Sequence, residues 1–350
     1  MMTDEIDVAV QELYPVPPRD PVRDPEALRR VRARVLREVV GDNGLVAGGG
    51  GRRKLLAAAA VFALAASGAV LVARDTAERD TSDRTAMVEV AQTLSTAADA
   101  QIRTVDEPVP PGKYRYIATH AVNVGLAPPA AVLFGTRDEM WVPADPAGVW
   151  FQLRTDTGER TRLSGTDRQV EDAGLETVRS QPERLSGACG EFHPGQGGRC
   201  GAQGNWQQPT GMFVAALPRD PGALFERLRA DTEGHGQDPD QEVLVYAADA
   251  LRSGMLPAVV RAALYRALAY LPTLEITERR ATLDGHTGTA LGISAAGQRK
   301  EIVVDPVTGS FVGERTRLTE AMDGMAAGTV IGSSTVRYAV VDHPWERPAR

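Results

Sequence analysis

Apolar positions recur along this chain at three different periods, and each predicts a different kind of element. Between Glu26 and Val40 they fall at helical spacing: Leu28, Val31, Val35 and Val39 lie 3, 4 and 4 residues apart, with arginines on the other faces. Asp24 suits an N-cap and Pro25 the first helical position, so a short amphipathic helix is expected over about 26–40. From Leu55 to Ala73 no residue is charged and no polar face recurs. That length of helix reaches roughly 28 Å, close to the hydrocarbon thickness of a bilayer. The reading is a transmembrane helix. Thr85–Arg103 returns to helical spacing, with Met87, Val90, Ala91, Leu94 and Ala98 on one face.

Beyond Lys113 the period drops to two. "KYRYIATHAVNV", "AVLFGTRDEMWV" and "GVWFQLRTDTGERTRL" alternate apolar and polar positions between Gly, Pro and Asp breaks, as antiparallel strands joined by turns do. Asp156-Thr157-Gly158 is expected to be a hairpin tip. Helical spacing then resumes in "LPRDPGALFERLRAD", capped by Asp220 and Pro221, in "DQEVLVYAADALRSG", and in "LPAVVRAALYRALAYL", opened by Pro257. A closing meander turns at Asp284-Gly285, at Ala295–Gln298 and at Pro306–Gly309 before the last strand, "STVRYAVV". Strands, a helical block and strands again, without βαβ alternation, predict an α+β fold. The expected organisation is a cytoplasmic segment over 1–54, a transmembrane helix over 55–73 and a charged stalk over 74–84. An extracytoplasmic antiparallel sheet domain packed with helices follows over 85–342, and a polar tail over 343–350.

Charge sets the orientation. Arg52, Arg53 and Lys54 stand directly before the span, whereas the arginines after it alternate with acids. The positive-inside rule therefore places the N-terminus in the cytoplasm, the span in the cell membrane and the C-terminal domain outside. The same Arg52-Arg53-Lys54-Leu55-Leu56 run resembles a twin-arginine export signal, with Ala63-Leu64-Ala65 as a small-residue cleavage site. Against removal stand the length of chain before the span and the apolar residues that continue to Ala73. Across its 350 residues the chain carries a net charge of −7, which argues against nucleic acid as a partner. A mean hydropathy of −0.22 excludes several spans.

The helix over 26–40 has no domain to pack against, and a helix of about sixteen residues is marginal alone in water. Its stripe of Leu28, Val31, Val35 and Val39 fits either a cytoplasmic regulatory protein or, with its arginines, the anionic inner leaflet. Outside the membrane, Cys189 and Cys200 face an oxidising space and are expected to form a disulfide. A metal site using them with Glu191 and His193 is the weaker alternative, because zinc ligands are usually paired at tighter spacing. Asp238, Asp240 and Glu242 lack the ligand series of a calcium loop. Trp141 and Trp150 fit sheet packing or a ligand groove. No HExxH pattern, nucleophile elbow or phosphate loop occurs, so no catalytic, cofactor or metal residues are assigned and the protein is not read as an enzyme.

Three stretches carry a resemblance across most of the chain: "DPEALRRVRARVL", "LPAVVRAALYRALAYLPTLEI" and "GHTGTALGI…KEIVVDPVTGSFVGE". With the single-span architecture they resemble a group of actinobacterial single-pass membrane proteins of unknown function, often encoded beside extracytoplasmic-function sigma factors. The resemblance implies that genomic neighbourhood and brings no catalytic residues. Two functions are expected on this footing. One is a membrane-anchored sensor or interaction protein with an unknown envelope ligand. The other is a lipid- or ligand-binding carrier module merely tethered to the membrane.

Overall fold

The computed structural model describes residues 69–348 apart from 105, 176–180, 194, 196 and 197; side chains are described from residue 84. The helix over 26–40 with Leu28, Val31, Val35 and Val39, the basic Arg52, Arg53 and Lys54, and the span as far as residue 68 lie outside the described residues. Among those described, no helix is long and apolar enough to cross a membrane. The first helix, α1 (Ala69–Arg103), runs unbroken through the charged stretch 74–84, so that stretch is continuous with the helix expected from Thr85.

The fold is α+β, as the alternation of periods predicts. Among the described residues, nine strands form one antiparallel sheet in the order β4-β3-β2-β1-β9-β8-β7-β6-β5. A first meander comprises β1 (Tyr114–Ala127), β2 (Ala130–Pro143), β3 (Val149–Ser164) and β4 (Glu183–Ala188). A second comprises β5 (Glu275–Leu283), β6 (His286–Ala295), β7 (Gln298–Val304), β8 (Phe311–Leu318) and β9 (Val330–Val341). The two are joined where β1 pairs with β9, from Tyr114↔Val341 to Asn123↔Gly332. The expected turns of the second meander are present: Asp284, Gly285, Ala296 and Gly297 all adopt positive φ, as two-residue hairpin turns require.

One expected turn is absent. Asp156-Thr157-Gly158 is not a hairpin tip; β3 runs straight through it. Phe134 pairs with Arg160 and Thr136 with Asp156, so residues 157–159 bulge out opposite Gly135. Local chemistry explains why turn residues serve a bulge here. Asp156 accepts from the Gly158 amide at 2.7 Å and from Arg160 Nη1 at 3.0 Å, while Gly158 supplies φ +79. A side chain at Gly135 would meet Thr157 Oγ1 at 2.3 Å, so glycine is required opposite the bulge.

Between the meanders lies the helical block. The short α2 (Asp167–Asp172) sits within the first meander, between β3 and β4; after β4, α3 (Gly211–Ala216) precedes α4 (Pro221–Asp231), α5 (Pro239–Arg252) and α6 (Ala258–Leu268). Asp220 caps α4 by accepting from the Ala223 amide, and Asp238 caps α5 by accepting from the amides of residues 240 and 241. Asp240 is drawn to Arg229 at 2.6 Å and Thr273 at 2.9 Å, so Asp238 and Asp240 both serve structural roles. The stripe Met87, Val90, Ala91, Leu94 and Ala98 is buried, and α1 packs on α6. Arg261 bonds Gln101 and Asp106, and Arg266 pairs with Asp99 at 2.6 Å, locking that contact at its rim. Helix α5 rests on β6, β7 and β8.

Candidate functional site

Alternation along the first three strands decides what faces α5. Ile117, Thr119, Ala121 and Asn123 of β1, Thr136, Asp138 and Met140 of β2, and Gln152 and Arg154 of β3 share one face. Helix α5 covers β6–β8 and leaves this part of the face open, which creates a cleft of about 630 Å³. Its far wall is α5, through Leu244, Ala248, Asp249 and Arg252; Arg199, Gln207 and Gln208 close one side. No local signal in the sequence showed this site, because its walls come from segments far apart in the chain.

The cleft is charged. Five cations (Arg154, Arg199, Arg252, Lys300, Arg315) face four carboxylates (Asp138, Asp249, Glu301, Glu314), leaving one net positive charge in an acidic protein. The carboxylates are all engaged. Asp138 accepts two bonds from Gln152 Nε2, at 2.8 and 2.9 Å, and lies 3.4 Å from its cross-strand partner Arg154. Arg252 bridges Asp249 and Glu314, and Ser334 donates to Glu314 at 3.0 Å. Arg315 binds Glu301, and Glu278 at 2.6 Å. Burial pushes the Asp138 carboxyl above its ordinary value, against the pull of Gln152 and Arg154. Burial likewise raises Asp249, opposed by Arg252.

Two cations differ. Among the described residues, neither Arg199 nor Lys300 has a carboxylate within ion-pair distance. The Arg199 guanidinium instead lies 5.0 Å over the ring of Trp150, and burial holds its pKa below the ordinary arginine value. Gln152 is 5% exposed, and its Oε1 has no hydrogen-bond partner. An orphaned buried acceptor of this kind is costly unless something donates to it.

Arg199 owes its position to the cysteines. Cys189 and Cys200 stand at disulfide distance, Cα–Cα 5.2 Å, as expected. The Arg199 amide donates to the Cys189 carbonyl at 2.6 Å, and the Cys189 amide donates to Gly148 at the β2–β3 connection. No group of three or more metal-ligating side chains occurs among the described residues. Reduction of the purified protein is expected to cost about 3 kcal/mol by the chain-entropy estimate for so short a loop. Thermal unfolding with and without reductant measures it, with Cys189→Ser as the control that should lose the reductant effect.

The two tryptophans divide. Trp150 is buried under Arg199 at the edge of the cleft and donates to the Pro146 carbonyl at 2.8 Å. Trp141 lies on the opposite face of the sheet, between the tilted rings of Tyr116 (5.5 Å) and Trp345 (5.2 Å). There the stretch expected as a polar tail folds back. Trp141 Nε1 donates to the Glu346 carbonyl at 2.6 Å, and Arg347 grips Glu139 at 2.6 and 2.7 Å.

Fold and cleft together define the class: an α+β domain whose antiparallel sheet carries a charged, polar recess under a helix. No family model matches the chain, and no curated protein or solved structure matches it.

Proposed function

We infer that this chain is a membrane-anchored, non-enzymatic interaction protein of the cell envelope whose α+β domain binds a polar ligand in the cleft under α5. The cleft is the observation that carries the reading. Its size suits a small molecule, and its lining mixes hydrogen-bonding side chains with two cations that have no ion-pair partner among the described residues. A carrier for a purely apolar lipid tail is disfavoured by the same lining, since an acyl chain would leave those groups desolvated and unsatisfied. On this reading the stretch Leu55–Ala73 holds the domain at the outer face. The stripe Leu28, Val31, Val35 and Val39 meets a cytoplasmic regulatory protein, with a sigma-factor system as the setting the resemblance implies.

The test is the cargo. Full-length protein purified in detergent from its native host is heat-denatured, and the released small molecules are identified by mass spectrometry. Ala121→Phe, a residue that suits a strand and fills the recess from β1, serves as the comparison. A molecule released from the wild type and missing from a folded Ala121→Phe supports the reading. Identical release from both proteins contradicts it.

A further inference from the structure

Resting on that reading, we propose that the ligand is an acidic carbohydrate, its carboxylate or phosphate seated between Arg199 and Lys300 and its hydroxyls bonded to the neutral polar wall. The two cations line one recess: Arg199 from the disulfide loop over Trp150, Lys300 from β7. Each approaches a carboxylate only at long range, Arg199 toward Asp138 and Lys300 toward Asp249, and both of those carboxylates are already taken. A half-buried cation without a counter-ion recruits an anion at little reorganisation cost, because its desolvation is already in place.

The rest of the lining selects what the anion is attached to. Gln152 Oε1 is an acceptor waiting for a donor, and its amide nitrogen is fixed by Asp138, so it cannot turn away. Thr119, Thr136, Ser333 and Gln208 add further donors and acceptors around the same space. A bare inorganic anion would satisfy the cations but is too small to reach the neutral polar wall as well. A fatty acid would satisfy the cations and desolvate the hydroxyls. A sugar acid or sugar phosphate satisfies both. Such a group also occurs as the head of a glycolipid, where the chemistry in the cleft is the same.

Isothermal titration of the full chain in detergent, stripped of endogenous ligand, with sodium glucuronate as the probe tests this. Glucuronate should bind, and glucose and inorganic phosphate should each bind more weakly. Arg199→Gln and Lys300→Gln should each weaken glucuronate at least about tenfold, the scale of one charge-assisted hydrogen bond, and leave glucose unchanged. Arg199→Lys should retain more affinity than Arg199→Gln, which separates lost charge from a disturbed loop. Absence of glucuronate binding, equal affinity in wild type and both glutamine variants, or phosphate binding as tightly as glucuronate would each overturn the proposal. If Ala121→Phe has lost its cargo while glucuronate does not bind the wild type, the cleft reading stands and the acidic-sugar class falls. Vesicles bearing glucuronosyl diacylglycerol supply the last arm. Displacement of free glucuronate by them assigns the source to a lipid head group, and lack of displacement assigns it to a soluble sugar; the acidic-sugar chemistry holds in both.

Discussion

Arg315→Met is expected to destabilise the domain by about 3–5 kcal/mol, the range for removing one partner of a buried ion pair. Arg315 and Glu301 face each other across β8 and β7, with side chains 4% and 1% exposed. Without the guanidinium, Glu301 keeps, among the described residues, only Arg317 Nε at 3.4 Å. The pair itself is not a large net gain over an apolar alternative, because two ions had to leave water to form it. Arg315→Met with Glu301→Gln should therefore recover much of the loss, leaving Glu278 and Arg317 to pair at 3.5 Å. Urea unfolding of the three proteins gives the comparison. A single-variant loss below about 1 kcal/mol would mean that water reaches Glu301 and that the site behaves as a surface pair.

On the opposite face of the sheet, Arg347→Ala is expected to cost about 3 kcal/mol, the low end of the same range because the arginine is half exposed and its partner is not. Glu139 is fully buried, bonded by Tyr116 Oη at 2.6 Å and by both arms of Arg347. Burial alone would raise the Glu139 pKa. The bonds from Arg347 and Tyr116 outweigh it and hold the carboxyl below the ordinary glutamate value. A depressed carboxylate contributes stability above its unfolded pKa and loses it as pH falls through the folded one. In Arg347→Ala burial prevails, the Glu139 pKa rises, and protonation relieves the unpaired charge. The deficit should accordingly be greatest near neutrality and shrink as the solution is acidified. Denaturation midpoints of both proteins across that range check the sign. A deficit that grows toward acid would show that Arg347 acts through packing of the tail and not through Glu139.

Much of this fold was legible in the sequence, and what was missed has a common cause. Period-two stretches, capped helices and Asp-Gly turns are local signals, and they marked β1, β2, β5–β8 and α4–α6. The pairing of β1 with β9 is set by shape complementarity across more than 200 residues and has no local signature. The bulge at 157–159 was misread as a hairpin tip because Asp and Gly serve both features, and only the pairing partner distinguishes them. Cys189–Cys200 was found because proximity in a loop with no other partner leaves little choice. Arg199 was not singled out, although it adjoins Cys200; its importance comes from Trp150 and the cleft, which belong to other elements. Glu139 and Arg347 likewise sit in a strand and a tail that look unremarkable apart.

That the cleft and the basic helix stand on opposite sides of one membrane, joined by an intact chain, is tested most directly by tagging both termini in the native host. Spheroplasts are treated with protease, and both tags are followed by immunoblot in membrane and soluble fractions. The expected result is a single full-length membrane band carrying both tags, from which protease removes the C-terminal tag and leaves the N-terminal one. A shorter, released species carrying the C-terminal tag alone would contradict the account: the stretch Leu55–Ala73 would then be a cleaved signal, and the cleft would belong to a secreted binding protein with no link to the cytoplasmic helix.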